Sequence, residues 1–418
     1  MKFPDPDGGS KFPAAKSMKE LQETLDGAER LREHGEEAVL ATVVAVRGST
    51  YRRTGARLLL DKHGWVSGGI SGGCLEGDVL RKAWWRTGAN GYALVTYDST
   101  TDEDDEMAWG LGLGCNGIVR VLLERVPCGG DEPEPLAFLR RCIAGRRAGV
   151  YATVYESPDR PGWVGQRVWQ SESENGATVT DAALQEAITR DASSVLAAGV
   201  SRDTFYSLEN GGAVSVFLEA IRPPTPLVIY GTGQDTQPVI RFAKALGWHV
   251  TVVAPRTPAS TAHLSRRFPG ADAVIPGLAA DVSGAVSLNT DTAALLMTHQ
   301  YFDDLALLPS LLRSPAGYVG VLGPRKRADR LLAELARHGE LFTEGELARL
   351  HAPVGLDIGA DSPEEIALSV IAEIKAAMSG RAGGSLRERS STIHRREGAD
   401  DSLPLRRTEK VTCLLTAR

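Results

Sequence analysis

Leu227-Val228-Ile229-Tyr230-Gly231-Thr232-Gly233-Gln234-Asp235-Thr236 is a short apolar run that ends in a glycine-rich turn. Pro238 to Leu246 then has helical spacing, Gly247 stops it, and His249 to Val253 is a second apolar, β-branched run. Buried strand, turn open to close backbone approach, helix and second strand are the first half of a Rossmann fold. Thr236 stands where a third small residue is usual in such a turn. A site for NAD wants a carboxylate at the end of the second strand to hold the ribose hydroxyls. That position reads as Ala254, followed by Pro255 and Arg256, so NAD is disfavoured and NADP or another phosphorylated ligand stays open.

Towards the C-terminus, further strands are expected at Ala273–Ile275, Ala293–Met297 and Tyr318–Leu322, with helices between them. Ser362-Pro363-Glu364-Glu365 caps a last helix to about Met378, with Pro at its first position and an acid at its third. Three stretches follow strands, where open α/β sheets place their sites: Thr298-His299, Gly323 to Arg327, and Gly355 to Asp361. His299 is either an acid/base or a turn residue, and Arg325 with its basic neighbours suits an anion. Together with Gly231 and Gly233 they define a crevice in a parallel-sheet domain over 225–378.

Upstream, Pro223, Pro224 and Pro226 make a stiff boundary, and residues 17–222 read as an N-terminal α/β domain. A capping box at Ser17 and Glu20 opens a helix to about His34. Strands follow at Ala38–Val46, Ala56–Leu60 and Trp65–Val66, a helix at Leu75–Arg86, and strands at Ala93–Tyr97 and Ile118–Glu124. Helices near 136–144 and 181–198 and strands near 149–155 and 213–220 complete it. Within this domain Ser67-Gly68-Gly69-Ile70-Ser71-Gly72-Gly73-Cys74-Leu75-Glu76-Gly77 links a strand to a helix start. Glycines let several N–H groups converge on one ligand, and the helix N-terminus adds partial positive charge. Cys74 stands where the helix opens, a position at which thiols become reactive. Glu76 and Asp78 in the same turn work against an anion. A second glycine loop, Gly110 to Gly117, carries Cys115. Each thiol is either a small buried hydrophobe or a functional group. Arg52, Arg53 and Arg57 form a basic stretch between two strands, either a solvated face or a set of phosphate contacts. The acidic run Asp102 to Glu106 lacks the spacing of a cation loop and reads as solvated.

In 418 residues with a net charge of −6 there is no electrostatic footprint for nucleic acid. No apolar run reaches the length of a membrane span, and Met1 to Ala15 lacks a signal-peptide core, so a cytoplasmic protein is expected. Five widely spaced cysteines without a CxxC argue against a disulfide framework and against a zinc site. Residues 1–16 and 379–418, rich in Gly, Ser, Pro or Arg, are expected to be disordered.

Taken together, these pieces resemble the XdhC/CoxI family of molybdenum-cofactor chaperones. They are Gly48 to Ala56, Gly68 to Glu76, Gly110 to Gly117, Val228 to Thr236, Thr298-His299, Leu322 to Arg327 and Gly355 to Ser369. The resemblance covers roughly 20–125 and 225–378. It implies an N-terminal α/β domain followed by a Rossmann-like domain. It also implies a protein that binds molybdenum cofactor (molybdopterin) as cargo, protects it and delivers it to an apo molybdenum hydroxylase such as xanthine dehydrogenase. Sulfuration with a cysteine desulfurase as partner belongs to the same picture, as does a homodimer. In this reading Arg52, Arg53, Gly72, Gly73, Cys74 and Glu76 hold the cofactor, and Cys74 or Cys115 touches its metal or terminal sulfur. Gly231, Gly233, His299 and Arg325 take a nucleotide or the pterin phosphate. Two alternatives stand beside it: an NADP- or other nucleotide-dependent oxidoreductase, and a scaffold whose glycine loops are only tight turns.

Overall fold

The strand Ala38–Gly48 (β1) is apolar on both sides because it is covered on both sides. Val39, Ala41 and Val43 face one hydrophobic cluster, whereas Val44 belongs to another on the opposite face. In this computed structural model, which describes residues 18–48, 50–88, 90–99, 117–128, 134–208, 212–255, 260–277 and 286–388, the chain divides into two compact units, Glu20–Pro223 and a second beginning at Pro224. Ser17, the acidic run, Cys115 with the rest of Gly110 to Asn116, Arg256, residues 1–16 and the tail from 389 lie outside the described residues. Before that point the C-terminal stretch includes a 3-10 turn at Leu386–Glu388.

The first unit contains two antiparallel five-stranded sheets. The first sheet uses β1, Arg57–Leu60 (β2), Trp65–Gly68 (β3), Tyr92–Asp98 (β4) and Gly117–Val126 (β5), in the order β3-β2-β1-β5-β4. The helices Met18–Glu33 (α1) and Glu76–Arg86 (α2) belong with it. Gly149–Glu156 (β6), Arg167–Ser171 (β7), Asn175–Ala177 (β8), Arg202–Ser207 (β9) and Ala213–Ile221 (β10) form the second sheet, ordered β8-β7-β6-β10-β9. Its helices are Glu134–Ala144 (α3) and Ala182–Ala198 (α4). Val150, Ala152 and Val154 of β6 pack on Leu184, Ile188 and Val195 of α4, while Tyr155 on the other face meets Val44 and Leu122 of the first sheet. The layers therefore run α2, first sheet, second sheet, α4. The short strands β7, β8 and β9 have no clear apolar alternation, which is why sequence reading passed over them.

Charged residues join the two sheets. Arg57 pairs with Glu219 through both guanidinium nitrogens, Arg120 reaches Glu156 at 2.9 and 2.7 Å, and Arg167 contacts Glu124. Arg57 thus departs from the basic stretch expected to meet phosphate: it is only 7% exposed and committed to Glu219. Burial alone would lower the Arg57 guanidinium, but the Glu219 carboxylate outweighs that and raises it. Removing one partner of such a pair strands a buried charge and costs about 3–5 kcal/mol.

The second unit carries a parallel sheet with helices on both faces. Its strands are Pro226–Tyr230 (β11), His249–Pro255 (β12), Ala273–Gly277 (β13), Ala293–Leu296 (β14), Tyr318–Val321 (β15) and Leu350–His351 (β16), in the order β13-β12-β11-β14-β15-β16. That is the 3-2-1-4-5-6 order of a Rossmann sheet. Thr236–Ala245 (α5), Thr261–Arg267 (α6) and the last helix, Pro363–Met378, cover one face; Tyr301–Arg313 (α7) and Arg325–Arg337 (α8) cover the other. The last helix opens on the expected capping box, Ser362 with Glu365. Strand β12 runs to Pro255, and Ala254 is fully buried in the cluster under α5, so Ala254 faces the core rather than a crevice.

Candidate functional site

Two of the family-like loops of the first unit meet beside its first sheet. Gly48, at the end of β1, pairs with Gly117, at the start of β5, and Leu58 pairs with Gly68, at the end of β3. Asp98, at the end of β4, pairs with Ile118. Through Leu58, Gly68 stands level with Ala41 of β1, whereas Gly48, Gly117 and Asp98 mark the far end of β1, β5 and β4. Cys115 precedes Gly117 by two residues in sequence and itself lies outside the described residues. Tyr51 ties two of these loops together, its ring 3.7 Å from where a Cβ would stand on Gly72. Arg52 lies in the same loop and pairs with Glu20 of α1, while Arg53 is exposed there.

The turn from Gly68 to Cys74 is filled by its own chain. Glu76 Oε1 accepts from the backbone N–H groups of Ile70 at 2.9 Å and Ser71 at 2.7 Å, and Oε2 accepts from Gly73 N–H at 3.1 Å and from the Ser71 hydroxyl. Ser71 Oγ in turn accepts from Leu75 N–H at 3.0 Å. Glu76 is only 2% exposed. Burial by itself would raise the Glu76 carboxyl, but the hydrogen bonds from Ser71 and Ile70 outweigh it and lower it. The donors that sequence reading assigned to an external anion are the ones this carboxylate takes, and Glu76 does not face outward. Asp78 is likewise internal, held by Lys82, Arg86 and Tyr97. Cys74, half-buried, lies 3.5 Å from Ser71 Oγ, and its flanking Gly72 and Gly73 are exposed. Among the described residues, no group of acids, histidines and cysteines could hold a metal ion.

In the second unit the crevice lies where strand order reverses, between β11 and β14. Gly231 (φ +148°) leaves β11 so close to the returning chain that a Cβ would stand 2.2 Å from the carbonyl oxygen of Met297. Only glycine fits there. His299, just past β14, adopts φ 58°, uncommon for a residue with a side chain. Its Nε2 sits 2.8 Å from Asp235 Oδ2, and both groups lie against Gly233. Arg267 donates to the Thr232 carbonyl at 2.6 Å. The structure therefore brings Gly231, Gly233 and His299 together and adds Asp235, which sequence reading treated only as a turn residue. Arg325 opens α8 after β15 and is exposed. Of its basic neighbours, Arg327 instead pairs with buried Asp304, which also accepts from Thr298. The stretch from Gly355 is held from within the fold: Gly355 N–H donates at 2.8 Å to Glu373, which also takes the Tyr318 hydroxyl at 2.6 Å.

Comparison with known proteins agrees with both units. Residues 31–98 match the model of the XdhC and CoxI family, and residues 227–374 match the XdhC Rossmann domain. A Bacillus subtilis (strain 168) protein named as a probable xanthine dehydrogenase subunit is 32% identical over 82% of this chain and 94% of its own length. The Escherichia coli (strain K12) molybdenum cofactor insertion chaperone PaoD is 25% identical over 81% of this chain and 83% of its own. A crystal structure described as a xanthine dehydrogenase from Bacillus halodurans superposes with a TM-score of 0.67 at 27% identity, covering 86% of this chain and 96% of that one. By these matches, which span the glycine turn, the sheet end and the Rossmann crevice, the chain belongs to the XdhC/CoxI family.

Proposed function

We propose that this protein binds molybdenum cofactor, protects it and passes it to an apo molybdenum hydroxylase. The observation that carries this reading is similarity to a named insertion chaperone along 81% of the chain, across both units. The two loops of the first unit that meet at Tyr51 and Gly72 are where the cargo would be met. Arg52 and Arg53 offer guanidinium groups to its phosphate, and Cys74 offers a soft sulfur to its metal or terminal sulfur. Glu76 shapes that loop from inside. In the second unit, Gly231, Gly233 and His299 would meet a nucleotide or the pterin phosphate, with Arg325 as a further cation. The partners this reading requires are an apo-hydroxylase and, where the cargo is sulfurated, a cysteine desulfurase, with the carrier acting as a homodimer.

The test is to purify the protein from a cofactor-producing strain and oxidise the extract to fluorescent pterin derivatives. About one pterin per chain, reduced at least fivefold by Cys74→Ala, is expected. Absence of pterin from the wild type overturns the reading. The His299–Asp235 pair at the switch point favours one second reading, a nucleotide-dependent oxidoreductase. NADPH binding with turnover that His299→Asn abolishes would establish it; NADPH titration without saturation would remove it.

A further inference from the structure

The two sheets of the first unit do not close completely on one another. Between them lies a cavity of about 490 Å³, lined by Thr42, Val44 and Leu122 on one side and Tyr151, Thr153 and Phe217 on the other. That volume is in the range of small-molecule sites, and apolar walls with a few polar groups are their usual composition. It lies on the face of the first sheet opposite the glycine turn. Cys74 packs with Val39, Ala41 and Val43, whereas Thr42 and Val44 point the other way. A ligand held at the turn and a ligand held in the cavity are therefore separated by the sheet itself.

The charges around the cavity define what would fit. Arg57 and Arg167 line it, and each is already balanced by Glu219 or Glu124, which line it too. Arg125 is occupied by Thr87, the Trp84 carbonyl and Glu37. A phosphate dianion there would lie beside two carboxylates with no uncommitted cation, so a neutral guest is favoured. The cavity lining supplies neutral donors instead, among them the hydroxyls of Thr42, Thr153 and Tyr151. The Tyr151 hydroxyl accepts from Arg167 Nε at 2.9 Å and keeps its own hydrogen to give; burial holds this phenol above its usual range, so it stays protonated. Hydroxyl donors between aromatic and aliphatic walls suit a carbonyl oxygen on a flat ring. Tyr92 also lines the cavity and is 38% exposed. Its ring lies so tightly on Gly165 that a Cβ there would stand 2.3 Å from Tyr92 Cζ.

We propose that this inter-sheet cavity is a second binding site, for a small, flat, uncharged heteroaromatic molecule bearing a ring carbonyl, independent of the glycine-turn end. The probe is 2-quinolone, titrated into the full-length protein and followed by saturation-transfer NMR and by its own fluorescence. Saturable binding with a Kd below about 1 mM is expected. Val164→Trp, which places a large ring where Val164 now lines the cavity, should weaken binding at least tenfold. Tyr92→Ala, at a partly exposed position that leaves the core intact, should weaken it about threefold to tenfold. 1-Naphthyl phosphate, of similar size but charged, should bind at least tenfold more weakly than 2-quinolone. Cys74→Ser should leave the quinolone affinity unchanged. Absence of saturation overturns the proposal, as does wild-type affinity in Tyr92→Ala with its circular dichroism unchanged. Equal binding of the naphthyl phosphate, or a tenfold loss in Cys74→Ser, overturns it equally.

Discussion

The protein has two glycine-rich turns that look alike in sequence and differ in what fills them. In the turn from Gly68 to Cys74, the N–H groups of Ile70, Ser71 and Gly73 all reach Glu76. In the turn from Gly231 to Asp235, no residue among those described accepts from the N–H groups of Thr232, Gly233 or Gln234; His299 and Asp235 meet beside them instead. Glycine density marks where a backbone bends closely. Whether the bend is a ligand site depends on whether a side chain of the same protein has already taken its donors. The first turn is a stapled loop that presents Cys74, Gly72 and Gly73. The second is an open one at a sheet switch point.

That contrast can be broken by substitution. The largest effect is expected from Gly231→Ala, because the new methyl meets backbone atoms of Met297 that cannot swing aside. A loss of about 4 kcal/mol or more in the second unit is expected, read by urea unfolding with hydrogen exchange resolved by unit. Glu76→Ala comes next. It orphans buried N–H donors and should cost the first unit about 2–4 kcal/mol, where a surface glutamate would cost almost nothing. A change within about 0.5 kcal/mol would show that the staple is not what orders the turn.

The pH dependence sharpens the same point. The Glu76 carboxyl is lowered in the fold, so its contribution is complete above the ordinary carboxylate range. It is lost as pH falls through the lowered folded value. The difference in thermal midpoint between wild type and Glu76→Ala should therefore be full at neutral pH and shrink in acid. A difference that stays constant down to about pH 2 would count against the hydrogen-bonded carboxylate. The smallest effect is expected at the open turn. His299 is 55% exposed, and its hydrogen bond with Asp235 is worth little to stability. His299→Asn, whose side chain tolerates positive φ, should move the second unit by no more than about 0.5 kcal/mol while changing any ligand affinity measured there.

Much of this architecture was legible in the residues. The run from Leu227 to Val253 announced a Rossmann half because strand, glycine turn and helix each have a local signature, and the observed β11, α5 and β12 follow it within a few residues. The loops of Gly48 to Gly55 and Gly68 to Glu76 were picked out for the same reason. Ala254 lies one residue before the end of β12 and faces the core, which local sequence does not mark, because a single residue decides which face a strand side chain takes. Arg57 was read with Arg52 and Arg53 because they are neighbours in sequence. Its partner Glu219 is 162 positions away, and nothing local marks a charge that points inward.

What the sequence determined by itself was therefore local: the buried strands, the capped helices, the two glycine turns and the residue types available at each. What only the tertiary structure decided was which groups meet. Pairing in the sheet placed Gly48 beside Gly117, packing set Tyr51 over Gly72, folding back of α2 put Glu76 into the first turn, and the sheet crossover set His299 beside Asp235. The stacking of two sheets turned three arginines and three glutamates into internal pairs and left a cavity between them. The physical reason is range. Backbone propensity and capping act over a few residues, whereas hydrogen bonds and ion pairs depend on distance in space, which the fold alone sets.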